Sequence, residues 1–343
     1  MDRDILRAAC EASSPPKTRL RVVIVGSTNV CNASCVHCPT GKAETEHLVR
    51  GTMSMGAFCS LVDQLADQCN VTLAFTFGLF GDALLDPLIV DRARYVKEKL
   101  PGIVLSLNSN AAAYSTAKHA VLADIVDHCA IHFESFRPDV YDFIMRPLRF
   151  ERVAPKVEMI LRDFGRKTVF GIPLHRLNVS ERQTMTDYFL DRGAGSVHFT
   201  PISNRCSSNG LYEHLAFSPI HPECRSERLD DLIVDWDGLV LGCCNDFKRQ
   251  EPIGDLRTMS LLEVLDGSAR RAFASKLDAG EWASLKTCST CRWDKCAHVG
   301  VGVRSPLLED EPTGPAAELR AVYASTSWRL TAPLRARRRA LSR

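Results

Sequence analysis

Three thiols fall within eight residues in Cys31-Asn-Ala-Ser-Cys35-Val-His-Cys38. Thiolates are soft ligands, and sets of them select zinc, copper(I) or iron–sulfur clusters. Zinc sites prefer paired cysteines completed by another Cys or a His. Three cysteines at C-x3-C-x2-C, with no obvious fourth ligand nearby, instead fit a four-iron cluster with one iron left open to a cofactor or substrate. The structural alternative is a buried or zinc-bound cysteine loop. Just upstream, Leu20, Val22, Val23, Ile24 and Val25 form an apolar run that reads as a buried strand. The thiols therefore hang from a strand end.

A second set of cysteines lies further on, at 224, 243, 244, 288, 291 and 296. Between Cys224 and Cys243, the stretch Leu232–Leu241 reads as a β-hairpin turning at Asp237-Gly238. Such a turn brings Cys224 and Cys243 toward one site, and Cys288-Ser-Thr-Cys291 supplies more ligands. A four-cysteine zinc site could use the same residues. Cys10, Cys59, Cys69, Cys129 and Cys206 stand apart, and isolated cysteines are mostly small buried hydrophobes. Cys129 and Cys206 become candidates only if the reaction needs a thiol hydrogen donor.

The elements that must position these groups alternate along the chain. Helical spacing of Phe58, Leu61, Val62 and Leu65 predicts a helix over Met55–Gln68. Strands are expected at Val71–Phe77, Ile103–Asn108, within Ile125–Glu134, at Thr168–Leu174 and at Ser196–Thr200. Helices are expected at Pro87–Lys99, Tyr114–Asp124, Asp139–Met145, Glu151–Asp163, Ser180–Leu190 and Ser260–Leu265. Six strands alternating with helices imply parallel βαβ units with right-handed crossovers. Six units are too few for an eight-stranded barrel. Active sites of parallel α/β folds lie at the carboxyl ends of the strands, and the thiol loop follows strand one.

Composition sets outer limits. The chain has 343 residues, 45% hydrophobic and 24% charged, with a net charge of +2. That balance gives no support to a nucleic-acid partner. No apolar run reaches the roughly 18–20 residues of a membrane span. Met1–Lys17 lacks the apolar core of a secretory signal, so a cytoplasmic setting is expected. There, the 14 cysteines read as metal ligands or catalytic groups rather than disulfides.

The C-x3-C-x2-C loop after the first strand resembles the hallmark of radical S-adenosylmethionine (AdoMet) enzymes. The resemblance implies a partial (β/α)6 TIM-like barrel over about residues 18–202, after an N-terminal extension at 1–17. It implies a [4Fe-4S] cluster on Cys31, Cys35 and Cys38, whose open iron chelates AdoMet and whose electron cleaves it to a 5'-deoxyadenosyl radical. A flavodoxin- or ferredoxin-type reductant is implied as the electron source. Gly81-Asp82 resembles the family's Gly-Gly-Glu-type motif near the methionine amino group, with Asp in place of Glu and Ala83 where Pro is common. Asn108-Ser109-Asn110 resembles the stretch near the ribose, and Ser135 with Arg146 the pair that holds AdoMet in related maturases. Arg suits a carboxylate because its planar fork bonds bidentately. The bland alternatives are a turn glycine, loop caps and a surface arginine. His132, Glu134 and His198 also lie near strand ends, where they could face substrate or be satisfied core residues.

Residues 203–300 resemble the SPASM/twitch extension, which carries auxiliary four-iron clusters. The spacing C-x13-G-x4-C fits its opening; the ending C-x2-C-x4-C is shorter than the full pattern. The resemblance implies one auxiliary [4Fe-4S] cluster held by Cys224, Cys243, Cys288 and Cys291. Cys244 could replace Cys243, and Cys296 could replace one of the four. Residues 301–343 form a tail whose basic end, with Trp328, suits weak contact with an anionic membrane surface or an acidic partner; a solvated tail is the alternative. This tail resembles those of polysaccharide-assembly enzymes. The implied reaction is abstraction of a substrate hydrogen atom, followed by oxidation or epimerisation of a sugar or polyol. The alternatives are maturation of a peptide, and an iron–sulfur or zinc electron carrier or scaffold without AdoMet chemistry.

Overall fold

The computed structural model describes residues 17–208, 211–295 and 300–302. The expected N-terminal extension up to residue 16, Cys10, Cys296 and the basic tail lie outside the described residues. Strands β1 (Thr18–Val25), β2 (Cys69–Phe77), β3 (Val104–Ser109), β4 (His128–Ile131), β5 (Thr168–Leu174) and β6 (Ser196–Pro201) follow in order. Each pairs in parallel with the next. The later strands are β7 (Pro219–Ile220), β8 (Asp231–Val234), β9 (Leu239–Leu241), β10 (Pro252–Asp255), β11 (Trp293–Asp294) and β12 (Gly300–Gly302).

Strand β8 adds in parallel to the free edge of β1, and β9 and β10 continue from it antiparallel. At the far edge β12 pairs antiparallel with β6. The ten strands run in one linear order, β10-β9-β8-β1-β2-β3-β4-β5-β6-β12, with two distinct ends. The barrel is partial, as six βα units require. One sheet thus runs through both cysteine-bearing regions, while β7 and β11 form a separate two-stranded ribbon.

Helices fill the crossovers. Met55–Gln68 buries Phe58, Leu61, Val62 and Leu65, the residues whose spacing predicts the stripe. Its entry is fixed by Ser54, whose hydroxyl accepts the Ala57 N–H at 3.2 Å. Tyr114–Asp124 departs from a single helix, splitting into a short helix at Thr116–His119 and a 3-10 turn at Ala120–Asp124. The Ser115 N–H is taken by the His119 ring at 3.1 Å, a local bond that competes with helix growth. The hairpin forms where expected: Asp235 donates to Leu239 O at 2.9 Å, and Gly238 adopts a φ of +88° at the turn.

The exit of β2 is tied to the first helix by a buried ion pair. Arg92, on the helix Ile89–Lys99, sets its Nε 2.8 Å from Asp86 Oδ2, and both side chains are fully buried. The same guanidinium donates to the carbonyls of Met53 and Ser54. Aromatic packing braces the other half of the sheet, with Phe170 of β5 stacked on Phe189 at 3.5 Å.

Candidate functional site

Cys31, Cys35 and Cys38 open on one cavity at the carboxyl ends of the central strands, about 890 Å³ with part of it open to solvent. Their loop is pinned to the end of the helix Pro138–Ile144, since Ser34 N donates to Arg146 O at 2.7 Å and Val36 N to Ile144 O at 2.8 Å. Within the loop, Cys38 N donates to Cys35 O at 2.9 Å. The Lys42 ammonium donates to the carbonyls of Cys35 and Cys38.

Charge at the three thiols is uneven. Burial pushes Cys31 up to about 12. Burial acts on Cys38 in the same direction, yet the Arg205 guanidinium, with Thr40 and Lys42, holds its thiol below the ordinary value. Arg205 lies past β6; its Nη1 donates to Cys38 Sγ at 3.3 Å and its guanidinium covers the Phe247 ring at 4.9 Å. Sequence reasoning missed this residue. It sits in an irregular stretch far along the chain, and only closure of the sheet delivers it.

Gly81, Asp82, Asn108, Ser109 and Asn110 all line the cavity. A Cβ on Gly81 would lie 2.5 Å from Val30 O, so the β2 exit touches the thiol loop backbone to backbone. Asp82 N completes that contact by donating to Val30 O at 3.0 Å. The Asp82 carboxylate accepts from Ser109 Oγ at 2.9 Å, Asn110 N at 2.8 Å and Leu84 N at 3.0 Å. It therefore joins the exits of β2 and β3. Asn110 Nδ2 donates to Asn32 Oδ1 at 2.8 Å, beside the Cys31 sulfur.

Ser135 and Arg146 are not brought to this cavity. Ser135 is buried and donates to Glu181 Oε1 at 2.6 Å. Arg146 is exposed, its guanidinium 6.0 Å from the Phe143 ring centroid. His198 pairs with Ser196 Oγ at 2.9 Å, a locally satisfied histidine. Cys129 is wholly buried in β4.

The same cavity holds a buried acid among histidines. Glu134 and His132, just past β4, and His37, from the thiol loop, line the cavity. Glu134 is 1% exposed, with His37 Nε2 at 3.7 Å and His175 Nε2 at 3.6 Å from its two oxygens. His175 Nδ1 accepts the Leu177 N–H at 3.2 Å, so a neutral His175 carries its proton on Nε2, facing Glu134. Burial opposes ionisation of Glu134, but His37, His175 and His132 hold its carboxyl below the usual value. Burial lowers His132 and drives His37 down to about 3. Glu134 Oε2, His37 Nδ1 and His175 Nε2 are buried without a hydrogen-bond partner. This corner is an ionised carboxylate with unspent hydrogen-bonding capacity.

The second thiol set also assembles. Cys224, Cys243, Cys288 and Cys291 line one cavity, together with Cys206. Cys244 faces an adjoining cavity that shares Cys224, Cys243 and Cys288. Trp282 Nε1 donates to Cys224 O at 3.0 Å, and His221 Nε2 lies 2.9 Å from Cys288 O, fixing the approach of the two ligand loops. A hydrogen bond with Cys243 lowers Cys244 to about 7, helped by Arg228. Among the described residues, no three His, Cys, Asp or Glu side chains converge on a point suited to a single metal ion. Thiols spaced around cavities fit a multi-atom cluster, with three donors at the first site and four or more at the second.

Comparison with known proteins agrees with this donor chemistry. Residues 224–292 match the SPASM family model, an iron–sulfur cluster-binding domain. No curated protein matches the chain by sequence. Among solved structures, BtrN in complex with AdoMet and 2-DOIA matches with a TM-score of 0.57 and 15% identity, over 80% of this chain and 94% of that one. The protein anSMEcpe with bound AdoMet matches with a TM-score of 0.59 and 14% identity, over 84% and 90%. Streptococcus suis SuiB bound to precursor peptide SuiA matches with a TM-score of 0.59 and 11% identity, over 80% and 70%. At these identities the likeness is one of fold. No helix among the described residues is long and apolar enough to cross a membrane.

Proposed function

We propose that this chain, which has the fold of radical AdoMet enzymes and carries a SPASM iron–sulfur cluster-binding domain, oxidises an alcohol carbon of a sugar or polyol. Cys31, Cys35 and Cys38 would hold the AdoMet-binding cluster. Cys224, Cys243, Cys288 and Cys291 would hold one auxiliary cluster. When bound, these groups supply one-electron cleavage of AdoMet, hydrogen-atom abstraction from carbon and acceptance of the substrate's second electron.

The observation that carries the polyol reading is Glu134. Oxidation of a carbinol to a ketone removes one hydrogen atom from carbon, one proton from oxygen and one electron. The proton needs an acceptor within the cavity, and the Glu134 carboxyl can take it, because His37, His175 and His132 hold it below its usual value although burial opposes ionisation. Gly81, Asn108, Ser109 and Asn110 line the wall beside the thiols and supply short polar contacts for AdoMet. Asp82 shapes that wall by joining two strand exits. The structures that share the fold include one bound to 2-DOIA and one bound to a precursor peptide, so the fold by itself does not choose the substrate.

The test is an anaerobic assay of reconstituted, reduced protein with AdoMet and a panel of sugars, polyols and peptides. The expected result is 5'-deoxyadenosine formed in step with a ketone from one hydroxylated substrate. Glu134→Gln should lower ketone formation by about 10²–10⁴-fold with iron content unchanged. Modification of a peptide with no polyol turnover would overturn the substrate reading, and bound metal without 5'-deoxyadenosine would leave only an electron carrier.

A further inference from the structure

Arg205 and Cys206 are neighbours in the chain that serve different thiol sites. Arg205 donates to Cys38 Sγ at 3.3 Å in the first cavity. Cys206, 1% exposed, lines the second cavity together with Cys291. Both residues have left-handed backbones, with φ of 49° and 55°. That region is uncommon for side chains other than glycine, and two in succession persist only where the surroundings impose them.

Asn204 imposes them. Its Oδ1 accepts from Cys206 N at 3.1 Å and Arg292 N at 2.9 Å. Its Nδ2 donates to Ser207 O at 3.0 Å and Thr290 O at 2.7 Å. Thr290 Oγ1 adds a bond to Cys206 O at 3.2 Å. The turn is thereby locked to the loop carrying Cys288 and Cys291. On its other side, Ser207 and Ser208 donate to Glu44, just past the first thiol loop. One short turn is clamped to both sites.

Hydrogen bonds to ligand sulfur shift charge away from the cluster, favour its reduced form and raise its potential. We propose that the Arg205–Cys206 pair is a connector that sets the redox balance of both centres, Arg205 donating to the Cys38 sulfur and Cys206, as a thiol that does not ligate iron, donating to the Cys291 sulfur. This rests on the two-cluster reading above and assigns both residues a positioning role. It also leaves a single peptide bond between groups that touch the two centres. Cys206 would then be a further thiol of the auxiliary cavity, and the four ligands of the cluster would remain those that the family resemblance implies.

The test is iron counting and a redox titration followed by electron paramagnetic resonance, on full-length reconstituted protein without AdoMet or substrate. Cys206→Ala should keep its iron and lower the auxiliary potential, leaving the first centre unmoved. Arg205→Gln should lower the first potential and leave the auxiliary one. A tenfold shift in the oxidised-to-reduced balance would read as about 59 mV for one electron. Cys206→Ser and Arg205→Lys, which keep a donor, should return most of the shift and control for misfolding of the turn. Loss of about four irons in Cys206→Ala would make Cys206 a ligand on the four-iron model and overturn the proposal, as would potentials unchanged in both variants. A wild-type protein that binds no iron would remove the cluster reading itself, and with it the connector, before any variant is made.

Discussion

A thiol near a strand end is chemically ordinary until other thiols share its cavity and something governs their charge. Cys38 differs from Cys31 because Arg205 stands beside it, and Cys291 differs from Cys288 because Cys206 does. These differences arise between residues distant in the chain. With the proposed ligand sets, Cys35→Ala and Cys291→Ala should each remove about four irons per chain on the four-iron, four-site model. Only Cys35→Ala should abolish AdoMet cleavage outright while sparing the auxiliary signal. Iron analysis with electron paramagnetic resonance separates the two. The spaced cysteines were legible because C-x3-C-x2-C and C-x2-C are local spacings, but Cys206, expected to stand apart, lines the second cavity with them because a distant turn delivers it. Glu134 was visible only as an acid near a strand end. Its three histidines come from the thiol loop, β4's exit and the segment after β5, and no local pattern announces that meeting.

Among the elements, the site depends on how strand exits are stitched together. Gly81 lets the β2 exit lie against the thiol loop, and Asp82 ties that exit to β3. Behind them, the Asp86–Arg92 pair anchors the β2 exit to the first helix. Removing one partner of a buried pair leaves an uncompensated charge, which costs about 3–5 kcal/mol. Asp86→Ala should therefore lower unfolding free energy by that amount in a denaturant titration, whereas Asp91→Ala, at an exposed carboxylate on the helix Ile89–Lys99 that carries Arg92, should change it little. Helix positions were readable where an apolar stripe repeats over several turns, as in Met55–Gln68. They were not at Tyr114–Asp124, where the crossover is short and side-chain bonds to the backbone divide it.

For the whole molecule, the second cysteine region is built onto the edge of the first. Gly26 N, at the start of the thiol loop, donates to Val234 O of β8 at 2.8 Å, and β8 extends the sheet beyond β1. On the opposite flank the Asn204 turn grips the Cys288–Cys291 loop. Asn204→Ala removes four hydrogen bonds and strands buried backbone groups, a loss of about 1–3 kcal/mol. It should lower the melting temperature of the iron-loaded protein and hasten loss of auxiliary iron to a chelator, with the first cluster less affected. Equal loss from both sites would argue against a clamp local to the auxiliary centre.

The sequence by itself determined the alternating βα order and the locally spaced cysteines, because hydrophobic period and ligand spacing are properties of neighbouring residues, while the partial barrel was implied by the family resemblance. Tertiary structure alone decided that Glu134 lies among histidines, that Arg205 reaches Cys38, and that Ser135 and Arg146 point elsewhere. Those outcomes depend on sheet pairing and buried hydrogen bonds between segments up to 167 residues apart, whose meeting is a consequence of closing the core.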